Sequence, residues 1–199
     1  MKLIVFGLFL LFALVSAWNC PTHWKLFDRV KGKWCITVIR GTRNVWDAEA
    51  ECKKHGGVLS GVENEHEKNW IHEKGVHLLR HHHKHIHQGA LWIGGRRRPG
   101  CLGVNKNKAG CVPWAPHAFE WTDGFTTGRS QFRFRPGQPD YLHNAQEFVY
   151  MHIIDRPYGK GDHGATPGSL DDVTGDTAMT GKNTLQFVRG IVCGKRAAR

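Results

Sequence analysis

Six cysteines constrain this chain more than any other feature: Cys20, Cys35, Cys52, Cys101, Cys111 and Cys193. Whether they cross-link depends on the compartment, and the N-terminus decides that. Lys2 precedes an apolar run over residues 3–15 that is too short to cross a bilayer, and Val15-Ser16-Ala17 is a small-residue cleavage site. We therefore expect a secretory leader over residues 1–17 and one secreted, extracellular domain over residues 18–199. An even number of cysteines in such a chain reads as up to three disulfides, with fifteen pairings open to them. No pair has C-x-x-C spacing, which argues against a zinc-thiolate or redox site. No later stretch is long and apolar enough for a membrane helix.

The chain is strongly basic, with 28 Lys and Arg against 17 Asp and Glu, and 14 His that can add charge at mildly acidic pH. In an extracellular protein this field favours polyanions such as sulfated glycans. Arg96, Arg97 and Arg98 form a run suited to bidentate contacts with sulfate, which makes them candidates for a heparin-like partner. No nucleic-acid partner is expected, because nothing resembles a groove-binding helix or an RNA-binding aromatic motif. Residues 77–87, HLLRHHHKHIH, could bind transition metals through neutral imidazoles, although the sequence fixes no geometry for them. No G-x-S-x-G, H-E-x-x-H or Cys/His nucleophile pattern is present, so a binding protein is expected rather than an enzyme.

The hydrophobic pattern predicts helices first and strands later. The β-branched GKWCITVI, residues 32–39, reads as a strand. Residues 45–57 read as a helix with Val45, Ala48 and Cys52 on one face, ended by Gly56-Gly57. Residues 64–80 read as a second helix, with Asn64 as N-cap and Glu67 as its capping-box partner, weakened or cut short at Gly75. Further strands are expected over residues 90–95, 119–124, 147–154 and 185–194, and a long loop over residues 155–183. The pattern is α+β with a largely antiparallel sheet.

Six motifs carry a resemblance. AEAECKKHGGVL, LWIGG, FEWTDG, PGQPD, LDDV and FVRGIVCG occur in the order found in C-type lectin-like domains, and FEWTDG with PGQPD looks most like the nematode members. The resemblance covers residues 20–195. It implies a fold of two helices, a small antiparallel sheet and a long irregular loop region that binds calcium and ligand. It also implies the bridges Cys20–Cys35, Cys52–Cys193 and Cys101–Cys111. A further family bridge would fall on Phe148 and Gly175, where both cysteines are missing.

By the same resemblance, Gln138, Asp140, Gln146, Asp171 and Asp172 would hold one calcium ion and the sugar bound to it, with a cis Pro139 aiming its neighbours at the ion. Glu147 lies where some members hold an accessory calcium. Three carboxylates and two amides suit a hard cation that takes six to eight oxygens. The Gln-Pro-Asp order is associated with galactose-type ligands. The expected function is thus calcium-assisted glycan binding with a degenerate site. The alternative is a calcium-independent module that binds a protein or a sulfated polyanion through its basic face.

Overall fold

The structure is a computed structural model that describes residues 17–41, 44–112, 116–156, 162–176 and 186–199. Except for Ala17, the expected leader lies outside these residues, as do residues 157–161 and 177–183 of the expected long loop. No helix among the described residues is long and apolar enough to cross a membrane.

Among the described residues, eight strands form one sheet: β1 (Lys25–Arg29), β2 (Gly32–Arg40), β3 (Val58–Leu59), β4 (Gln88–Arg97), β5 (Phe119–Trp121), β6 (Phe148–Ile154), β7 (Leu170–Val173) and β8 (Val188–Arg196). Their main path is β1-β2-β8-β4-β6-β7, with β3 paired to β8 and β5 to β4. Most pairs are antiparallel, but β4 runs parallel to β8 through Ala90, Leu91 and Trp92, so the sheet is mixed. At the chain ends, Asn19 and Ala198 exchange backbone hydrogen bonds of 2.9 and 3.1 Å.

Strand β4 lies centrally and is covered on both faces, which explains its continuous apolar run. Its side chains alternate, as the period of two requires. Leu91 and Ile93 join Ile71, Leu79, Met151 and Ile153 in one core cluster. Ala90 and Trp92 join Val45, Ala48, Cys52, Tyr150 and Ile191 in the other. Helix α1 (Val45–Lys54) supplies the second cluster through the predicted Val45, Ala48 and Cys52 face. Helix α2 (Glu65–His82) supplies the first.

Helix α2 differs from expectation in two ways. It runs through Gly75 without a break. A Cβ at that position would lie 2.3 Å from Ile153 Cγ2 and 3.1 Å from Leu91 Cδ1, so glycine is what lets the helix lie on the sheet. Asn64 does cap the helix, accepting from the Glu67 amide at 3.0 Å. The capping box does not close, however, because the Glu67 carboxylate turns inward. It accepts from the Glu63 amide at 2.9 Å and, through both oxygens, from Arg29 Nε and Nη2 at 2.8 Å. Arg29 also reaches Thr126 Oγ1, Asp123 and the Gly61 carbonyl. One buried guanidinium therefore ties β1, α2 and the FEWTDG turn together.

The bridges are Cys20–Cys35, Cys52–Cys193 and Cys101–Cys111. Where the resemblance asks for another bridge, the chain packs aromatic rings instead. Trp46 meets Phe148 edge to face with centroids 5.8 Å apart. A Cβ on Gly175 would fall 2.7 Å from Trp46 and 3.0 Å from Phe148. The Gly175 carbonyl accepts from the Val45 amide at 2.9 Å, which fixes the approach.

Candidate functional site

The C-terminal end of β4, the segment over residues 136–147 and strand β7 meet at one place. There the Gln138–Pro139 peptide bond is cis. Tyr141 follows in the left-handed region (φ 52°, ψ 43°) and is buried. A non-glycine residue in that conformation needs local support, and Asp172 supplies it. Asp172 Oδ1 accepts from the Asp140 amide and Oδ2 from the Tyr141 amide, each at 3.0 Å.

Asp172 Oδ2 also accepts from Arg97 Nη2 at 2.9 Å, and neither side chain has any exposed surface. The Arg97 guanidinium lies 4.0 Å from the Tyr141 ring centroid and 4.6 Å from that of Phe119. Its Nε donates to the Gln146 carbonyl at 3.2 Å, and its backbone amide donates to Glu147 O at 2.7 Å. Burial pushes the Asp172 carboxyl up to about 6, with the guanidinium and the two amides pulling it back. Burial likewise lowers the Arg97 pKa, against the pull of Asp172. Both shifts follow from removing charge from water.

Gln138, Asp140 and Gln146 stand around this buried pair with their side chains folded onto the loop. Gln138 Oε1 accepts from the Asp140 amide at 3.0 Å, and Asp140 Oδ1 from the Leu142 amide at 3.1 Å. Gln146 Oε1 accepts from the same Leu142 amide. Asp171 turns away from this group, as neighbours on a strand do. Its Oδ2 accepts from Arg135 Nε at 2.8 Å, with His152 Nε2 at 3.7 Å. Glu147 pairs with Arg96 at 3.1 Å on the surface. Four of the five expected ligands thus meet, and Asp171 belongs to a separate ion pair.

The fit to calcium is poor in this arrangement. A calcium ion needs six to eight oxygens and favours carboxylates. Each buried carboxylate already faces a guanidinium, and an ion on Asp172 would sit beside the Arg97 charge. The amide oxygens of Gln138 and Gln146 are engaged by the backbone. Among the described residues, no three His, Cys, Asp or Glu side chains gather in a metal-binding group.

The arginine run requires a correction. Arg97 is buried, because alternate residues of β4 point inward, so it presents no charge to a polyanion. Arg96 is neutralised by Glu147, and its guanidinium lies 5.3 Å from the Phe148 ring centroid. Arg98 donates to the Gly110 carbonyl at 3.1 Å. The three side chains therefore form no shared anion-binding surface. Sequence reasoning missed Arg97 and Arg135 as internal counter-ions. The signal was there: two adjacent acids in an apolar strand, LDDV, require partners of opposite charge.

A family model described as C-type lectin domain-containing protein 141/158 matches residues 25–196. A comparison with curated proteins gives no match. Among solved structures, the C-type lectin CEL-I from Cucumaria echinata is similar, at 18% identity and TM-score 0.53, over 88% of this chain and 96% of that one. The cow C-type carbohydrate-recognition domain of CD23, solved with a GlcNAc2Man3 oligosaccharide, aligns at 17% identity and TM-score 0.52, over 92% of this chain and all of the other. A calcium-independent type II antifreeze protein aligns at 22% identity and TM-score 0.51, over 92% and 99% of the two chains. These structures share the fold: two helices against a mixed sheet. Since the matched model runs from the first strand to the last, this chain belongs to the C-type lectin domain family.

Proposed function

We propose that this is a secreted, extracellular lectin that binds glycans through the surface formed by Gln138, Asp140 and Gln146, without calcium. The observation that carries this reading is the buried Arg97–Asp172 pair at 2.9 Å, which supplies the positive charge that a bound ion would otherwise bring. In this reading Arg97 holds Asp172, Asp172 holds the Asp140 and Tyr141 amides, and the loop stands in its binding conformation with no metal. The exposed Asp140 carboxylate accepts from sugar hydroxyls, and the amide N–H groups of Gln138 and Gln146 donate to them. The Gln-Pro-Asp order favours galactose-type stereochemistry. Structures of this fold include both a calcium-dependent and a calcium-independent type II antifreeze protein, so the architecture accommodates either state.

The test is a glycan array probed with the mature protein in calcium and in chelator. We expect the same galactose-type signals in both, and their loss in Asp140→Ala. Signals that vanish in chelator would restore the calcium-assisted reading. An array blank in both conditions would point instead to a protein ligand.

A further inference from the structure

The last two turns of α2 carry a feature unconnected with the loop site. His77 and His81 are both exposed and stand four residues apart on one helical face. Their rings stack with centroids 4.0 Å apart and planes inclined by 28°. Residues four apart on a helix have Cβ atoms about 5–6 Å from each other. That is the spacing by which two imidazoles on one helix grip a single metal ion.

Charges of both signs stand around the pair. Glu73, one turn before His77, lines the same open cavity of about 510 Å³ as His77 and His81 and brings a negative charge to it. Arg80 and Arg156 also line it; the Arg80 guanidinium is held by both oxygens of Asp155 at 2.7–3.2 Å, which offsets its charge. His72 shares the cavity but is committed elsewhere, since its Nε2 accepts from the Ile154 amide at 3.2 Å.

We propose that His77 and His81 form a two-imidazole chelate for a divalent first-row transition ion. Two protein nitrogens leave the remaining coordination positions to water, so the ion stays exchangeable and open to a further ligand. Imidazole ligands suit copper, nickel and zinc, and copper(II) binds most tightly in that series. The other histidines of residues 82–87 are the natural controls, because they are also basic and abundant but lie at or beyond the helix end.

Calorimetric titration with copper(II) chloride, then with zinc chloride, tests this. The unsubstituted protein should show one tight 1:1 step, stronger for copper. His77→Ala and His81→Ala should each weaken it roughly tenfold or more, which corresponds to about 1.4 kcal/mol. His82→Ala and His85→Ala should leave it almost unchanged. Far-UV circular dichroism of each variant confirms that the helix persists, and since both key side chains are exposed it should. A tight step that survives His77→Ala overturns the proposal. So does an equal loss in His82→Ala, which would mean diffuse binding by the whole tract.

Discussion

Replacing Arg97 with Met should be among the most damaging single changes in the protein, and its cost should depend on pH. Methionine keeps most of the side-chain volume, so the main loss is the buried charge. Removing one member of a fully buried pair typically costs about 3–5 kcal/mol, because the other charge is left uncompensated. Burial already pushes Asp172 up to about 6 with Arg97 in place. A carboxyl raised in the folded state contributes stability below its unfolded value, and that stability is lost as pH rises through the folded value. The unsubstituted protein therefore loses this contribution between about pH 4 and 6. Without the guanidinium the carboxyl climbs further, and each additional unit adds about 1.4 kcal/mol of loss above pH 6. Urea unfolding of the oxidised protein should show a deficit of about 1–2 kcal/mol at pH 5 that grows to about 3–5 kcal/mol at pH 8. Adding Asp172→Asn should recover most of it, since the stranded charge is gone. A deficit under about 0.5 kcal/mol at pH 8, or one independent of pH, would refute the reasoning.

Gly75→Ala should lower stability by about 1–3 kcal/mol in urea unfolding, although alanine is the better helix former, because its Cβ would meet Ile153 at 2.3 Å. His72→Gln should flatten the acid limb of the stability profile. Burial depresses His72 to about 4. The unfolded chain therefore takes up its proton first, and stability is lost as pH falls from about 6.5 towards 4, by up to about 3 kcal/mol. Asp172 acts with the opposite sign in part of that window, so the comparison is between the variant and the parent. Replacing Cys52 and Cys193 together by Ser should cost about 5 kcal/mol by the chain-entropy model, read from the shift in urea midpoint, because the bridge spans 141 residues of sequence.

The parts of the fold that could be read from sequence were those governed by local rules. The Val45, Ala48 and Cys52 face and the Asn64 cap follow from period and capping chemistry, and both are present. The span of α2 was legible, but its continuity through Gly75 was not: propensity penalises glycine there, whereas the deciding factor is the approach of Ile153, a residue 78 positions away. Glu67 fits the capping-box spacing, yet its carboxylate goes to Arg29, and no local pattern encodes that partner. The candidate site shows the same division. Position in the motif order identified Asp140, Gln146 and Asp172 as neighbours. The partner of Asp172 was hidden in an arginine run whose inward member is revealed only by the register of β4 against β6.

The pairing of Cys20 with Cys35 and of Cys52 with Cys193 also determines how the protein carries tension. A pull on the two ends crosses from Cys20 to Cys35, follows the chain to Cys52, crosses to Cys193 and leaves. Only the segment from Cys35 to Cys52 lies between the two covalent shortcuts, and it reaches roughly 60 Å when fully drawn out. Everything from Lys53 to Val192 is bypassed, including Arg97, Asp140, Asp172 and the His77–His81 stack. While both bridges are oxidised, a protein tethered at its ends could be stretched through β2 and α1 while its ligand-bearing loops stay outside the line of force.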